Sequence, residues 1–219
     1  GTVTDESADC NLLPGEEGTG LLNSAGVSGG VPPQWDEDCR DIPRPSVNIL
    51  KSIVNGPTPT GSDVNEYQIT YQIEVENTSS YPAFYTLHDT LQYGEGAVNI
   101  SSSASFISGD TPDPIVNANF DGLANYLIVE DEKVEPGFTD IYQIDVTFVV
   151  ETSEVTPESA DCEITEGETG SGLLNLASVS IGGPSITDTA CTYFPLICNV
   201  ELVSDVTCYD GENGSATAS

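Results

Sequence analysis

Between residues 46 and 197 the apolar positions recur with a period of two. In YQITYQIEV, Tyr67, Ile69, Tyr71, Ile73 and Val75 share one face, and Gln68, Thr70, Gln72 and Glu74 share the other. In YQIDVTFVV the apolar set is Tyr142, Ile144, Val146, Phe148 and Val150. Successive side chains of a strand point to opposite faces, so this alternation predicts strands with one face in a core. Glu135-Pro136-Gly137, ahead of the second run, has Pro and Gly where a turn uses them. Further strands are predicted around 47–54, 83–93, 97–107, 123–130 and 173–181. No stretch has the period of an amphipathic helix. Seven or so short strands separated by Gly, Pro, Asn and Asp predict an all-β chain folded as an immunoglobulin-like sandwich.

An internal repeat sets the organisation. VTDESADC, from Val3 to Cys10, returns as VTPESADC from Val155 to Cys162, 152 residues later. GLLNSAGVSGG from Gly20 matches GLLNLASVSIGG from Gly172, and Cys39 and Pro43 match Cys191 and Pro195 at the same offset. Self-similarity at a fixed spacing is the signature of tandem units. Residues 1–45 therefore read as the end of a preceding repeat, 46–197 as one complete repeat, and 198–219 as the beginning of another module. Ile42-Pro43-Arg44-Pro45 forms a short, stiff linker. If Gly1 is the real N-terminus, the segment Leu21 to Ser28 is expected to be a strand without its own domain, and such a strand needs a partner sheet.

The six cysteines contain no CxxC pair, and the equal spacing pairs Cys10 with Cys39 and Cys162 with Cys191. Each bridge would contribute about 3 kcal/mol. The remaining pair, Cys198 and Cys208, is expected to bridge within the last segment. Disulfides imply an oxidising compartment, so the expected location is extracellular, at the cell surface. With no membrane-length apolar run and no signal peptide at Gly1, the chain is expected to derive from a longer secreted precursor.

Charge narrows the partners. Four Lys and Arg stand against 36 Asp and Glu, a net charge of −32, which repels nucleic acid and anionic membranes. His88 is the only histidine, and neither a G-x-S-x-G elbow nor a Gly-rich phosphate loop occurs, so no enzymatic function is expected. Asp36, Glu37, Asp38 and Asp41 crowd one segment, and Glu130, Asp131 and Glu132 another. Such clusters are candidate calcium ligands, or else solvated acidic loops without EF-hand spacing. Trp35 is a candidate sugar platform or, preferably, packing between consecutive domains. N-x-S sequons stand at Asn77, Asn99 and Asn213.

KSIVN (Lys51 to Asn55), YQITYQIEVENTS (Tyr67 to Ser79), HDTL (His88 to Leu91), Glu135-Pro136-Gly137 and NLASVS (Asn175 to Ser180) resemble a tandem repeat domain of unknown function from bacterial and archaeal surface proteins. The resemblance spans most of 46–181, and this copy departs from it by a long loop between Val150 and Leu173. VTCYDGENGSATAS (Val206 to Ser219) resembles the opening of a SprB-type repeat of Bacteroidetes gliding-motility adhesins, through Cys208, Gly211, Asn213, Gly214 and Ser215. Together they imply a giant multidomain surface protein, a structural or adhesive fibre whose partners are its own neighbouring repeats. Asp188-Thr189-Ala190, like Asp89-Thr90-Leu91, resembles a Bacteroidetes O-glycosylation sequence, which makes Thr189 a candidate site. Two rival functions remain: a calcium-dependent glycan-binding module, and a filament subunit assembling with other copies by strand exchange through Leu21 to Ser28.

One set of residues carries specific chemistry. Alternation places Val47, Ile49, Lys51 and Ile53 inward on the first strand, Leu87, Asp89, Leu91 and Tyr93 on a middle one, and Leu173, Asn175, Ala177, Val179 and Ile181 on the last. Lys51, one of two lysines, thus enters the core, where an unpaired ammonium costs several kcal/mol. Glu74 and Asp145 fall on polar faces, leaving Asp89 as its partner. Lysine, acid and asparagine so placed resemble the self-forming isopeptide bond of surface-fibre domains. The other outcome is a buried Lys51–Asp89 ion pair with Asn175 hydrogen-bonded nearby.

Overall fold

A computed structural model describes residues 8–11, 14, 20–29, 34–63, 65–110, 114–164, 166, 170–195, 200–204 and 215–218. The described residues are nearly all strand and loop, and antiparallel sheets pack together as an all-β sandwich. In chain order the strands are β1 (Asn23–Val27), β2 (Gln34–Asp38), β3 (Val47–Pro59), β4 (Glu66–Asn77), β5 (Ala83–Tyr93) and β6 (Ala97–Ser108). They continue with β7 (Leu127–Val134), β8 (Thr139–Val150), β9 (Leu173–Ser180), β10 (Ile186–Ala190), β11 (Val200–Ser204) and β12 (Ser215–Ala218). A short helical turn, α1 (Pro157–Ala160), follows β8.

One sheet has the order β3-β4-β8-β6 and the other β10-β9-β5-β7. Their inner faces are the alternating sets read from the sequence. Tyr71, Ile73, Val75, Tyr142, Ile144, Phe148, Leu87, Leu173, Ala177 and Val179 are at most 1% exposed and belong to one core. Burying such side chains supplies the main driving force for folding.

β3 outruns its predicted span, reaching Pro59 through register shifts near Asn55. Gly56 makes this possible: its φ is +87°, and a Cβ there would meet the Gln68 carbonyl oxygen at 2.5 Å. The strand expected at 123–130 starts instead at Leu127. Asp121 Oδ1 accepts the backbone N–H groups of Leu123, Ala124 and Asn125, each at 2.8 Å, and holds these residues in a turn. β10 was not among the expected strands; its five residues are half polar and mostly exposed.

Leu21 to Ser28 contains β1, whose partner is β2 rather than another sheet. This hairpin reproduces β9–β10 at the 152-residue offset. Asn23 pairs with Asp38 and Val27 with Gln34, as Asn175 pairs with Ala190 and Val179 with Ile186. The backbone bond from Leu21 N to Arg40 O, 2.7 Å, has its counterpart from Leu173 N to Thr192 O, 2.8 Å. The disulfides Cys10–Cys39 and Cys162–Cys191 close equivalent loops, with Cα separations of 5.8 Å in both. The expected Cys198–Cys208 bridge, the likeness seen from Val206 onward and the Asn213 sequon lie outside the described residues, β12 apart.

Candidate functional site

Two polar side chains from different sheets converge on a third in the apolar interior. Lys51 stands on β3 with its neighbours Val47, Ile49 and Ile53 turned to the same face. Asp89 lies on β5, opposite Ala177 of β9, and Asn175 lies opposite Leu91. Asp89 and Asn175 are therefore diagonal neighbours on one face. Lys51 is 4% exposed, and Asp89 and Asn175 are fully buried.

Lys51 Nζ donates to Asp89 Oδ2. The ammonium end also sits 5.3 Å from the centre of the Tyr71 ring. That ring is anchored by its hydroxyl, which donates to the Leu173 carbonyl at 2.7 Å and lies 3.0 Å from the Tyr93 hydroxyl. The Asn175 amide is close enough to Asp89 to work against the rise in its pKa. Yet Asp89 Oδ1 and both Asn175 amide atoms make no well-formed hydrogen bond. Contact is made, alignment is not.

Burial governs the protonation of both charged groups. Desolvation lowers the Lys51 pKa, against the attraction of Asp89 and Asp188. It raises the Asp89 pKa, against the Lys51 charge and hydrogen bond and the Asn175 contact. Both shifts favour neutral forms, an amine and a carboxylic acid. A neutral amine is a nucleophile, and a carboxylic acid beside an amide can polarise its carbonyl.

Asp188 completes the setting in a way the sequence did not announce. Its Oδ2 accepts the Lys51 backbone N–H at 2.7 Å, joining the edge strands β3 and β10 across the gap between sheets. Its residue type had suggested only a modification sequence. Thr189 beside it is exposed, and Asp89 of the second such sequence is committed to the core.

A second buried acid also escaped sequence reasoning. Asp140, 1% exposed, accepts the Tyr85 hydroxyl at 2.8 Å, and Tyr85 lies 2.7 Å from the Tyr142 hydroxyl. Burial pushes the Asp140 pKa up to about 6, assisted by the negative charges of Asp110 and Glu132. The alternation TDIYQIDV contained the signal, since Asp140 is in phase with Tyr142 and Ile144.

The remaining candidates lie at the surface. Trp35 is 71% exposed and lies across Gly26 of the facing strand. His88 packs on Tyr126 with ring centres 5.4 Å apart. Asp36, Glu37, Asp38 and Asp41 are exposed, and so are Glu130 and Asp131. Among the described residues no group of three or more His, Cys, Asp or Glu side chains is placed to hold a metal ion. No family model matches the chain, and no curated protein is detectably similar to it.

Proposed function

We propose that this chain is a load-bearing segment of a long extracellular fibre, built of tandem immunoglobulin-like sandwiches and locked by an isopeptide bond between Lys51 and Asn175. The observation that carries this reading is the convergence, in a buried core, of Lys51, Asp89 and an Asn175 amide without a well-formed hydrogen bond, where burial lowers the lysine pKa and raises that of the aspartate. A buried amide without partners costs about 1–3 kcal/mol and needs a reason. Covalent chemistry supplies one. Lys51 Nζ attacks Asn175 Cγ, Asp89 gives its proton to the carbonyl oxygen, and the tetrahedral centre collapses with loss of Nδ2. The amine's surplus proton, relayed by Asp89, leaves with Nδ2 as ammonia, and the oxygen returns its proton to Asp89 as the C=O bond re-forms. One C–N bond forms and one breaks, with no change of oxidation state.

The mechanical consequence favours a structural role. Lys51 is near the start of the sandwich and Asn175 near its end, so a bond between them carries tension past the intervening 123 residues. The net charge of −32 and the paired cysteines suit a soluble, extracellular, oxidised setting. The likeness to surface-protein repeats and to the opening of a gliding-adhesin module supports the same reading. Pulling single molecules of the full chain tests it. A bonded sandwich gives up none of those 123 residues, which at about 3.5 Å each amount to on the order of 430 Å of missing extension. Release of that whole length would refute the locked stalk.

A further inference from the structure

We propose that β6 is an interaction edge through which two copies of this chain pair antiparallel, continuing the sheet β3-β4-β8-β6 from one sandwich into the next. The inference rests on the sandwich edges and does not depend on the covalent bond.

A sheet edge exposes unpaired N–H and C=O groups, and proteins normally protect it with charges, irregular backbone or a covering segment. Three of the four edges here are protected. β3 and β10 face each other and are joined by the Asp188 carboxylate on the Lys51 N–H. β7 carries Glu130, Asp131, Glu132 and Lys133, with Asp131 at a φ of +55°. It is also covered by Asn117, whose N–H donates to the Ile128 carbonyl at 2.9 Å and whose side chain donates to the Leu127 carbonyl at 3.0 Å.

β6 has none of these protections along its centre. AVNISSSASFIS holds no ionisable side chain in 12 residues, in a chain with 40 Asp, Glu, Lys and Arg. From Ser101 to Phe106 its ladder with β8 is regular, and among the described residues its backbone makes no hydrogen bond on the opposite side. Its outward face presents Ser101, Ser103 and Ser105, and its inward face has small residues at Ser102 and Ala104. The Ser102 hydroxyl is buried without a partner at this edge. Small side chains on both faces let another backbone approach.

Charge and symmetry select the occupant. Chains of net charge −32 repel wherever acidic surfaces meet, so a neutral strand is where a second copy approaches most easily. One open edge per sandwich closes about a two-fold axis and yields a pair instead of an endless sheet. Centred on Ser103, the antiparallel register sets Ser101 opposite Ser105 of the other copy.

Sedimentation equilibrium of the full chain, at low salt and at about 0.5 M NaCl, tests the pairing. The expected result is a reversible dimer that tightens with salt as repulsion is screened. Ser103→Glu sets like charges opposite each other and should weaken the dimer at least about tenfold. Ser62→Glu, the same charge change in an exposed turn, should leave it unchanged. Should Ser103→Glu fail to fold, Ser105→Glu takes its place. Amide hydrogen exchange over 101–106 should slow in the dimer. A monomer under all conditions, equal effects of the two charge changes, or unaltered exchange at 101–106 would each overturn the proposal.

Discussion

Replacing Asn175 by alanine separates the covalent molecule from the ion pair, because the two states predict different energies. In an unlinked core the Asn175 amide has no hydrogen-bond partner to lose. Removing its two unsatisfied polar atoms offsets the small cavity created, and the net change stays within about 1–2 kcal/mol. In the bonded core the substitution removes a tether closing a loop of 124 residues. The chain-entropy relation for a loop of that length gives about 5 kcal/mol. For a chain of this size, that amounts to a Tm lower by about 10–20 °C. Differential scanning calorimetry under non-reducing conditions, with both described disulfides intact, measures the difference. Asp89→Asn should reproduce the loss, because Lys51 and Asn175 remain but the proton donor does not. A Tm for Asn175→Ala within a few degrees of the parent would refute the tether.

Asp140 titrates in the folded state at about 6, above its ordinary 3.8, so its contribution to stability is full below about pH 4 and lost as pH rises through about 6. The interval is worth up to about 3 kcal/mol, and Asp140→Asn should remove that part of the pH slope in urea titrations from pH 4 to 8. Identical slopes for parent and variant would show that Asp140 is ionised throughout. Asp188→Ala deprives the Lys51 N–H of its acceptor, at about 1 kcal/mol, and should leave a fraction of freshly made chain unlinked. Complete linkage at the parental rate would show that Asp188 does not position the lysine. Cys162→Ser with Cys191→Ser should lower stability by about 3–4 kcal/mol, read from denaturant midpoints, and no change would mean the 29-residue loop is held by other contacts.

The strands and the inward faces were legible because alternation of period two is the physical requirement of a half-buried strand. Lys51, Asp89 and Asn175 could be placed inward on that ground alone, each in phase with aliphatic neighbours. What alternation does not encode is which strands become neighbours across the gap between sheets. Asp188 was therefore invisible as a partner of Lys51, for its strand is short, half polar and exposed on most positions. The start of β7 was misplaced because Tyr126 and Leu127 continue an apolar pattern, while the Asp121 side chain fixes the preceding turn. Asp140 was missed because a single acid in an apolar register reads as a strand end until Tyr85 arrives from the other sheet. The bareness of β6 was present in its composition, but its position at an edge follows only from the sheet order.

The most direct measurement is the intact mass of the purified, denatured chain with its disulfides preserved. A bond between Lys51 and Asn175 predicts the mass of the oxidised polypeptide less one ammonia, and a proteolytic fragment in which the peptides bearing these residues stay joined after reduction. The full oxidised mass, with free Lys51 and Asn175 peptides in the digest, would contradict the covalent lock and leave only the buried ion pair.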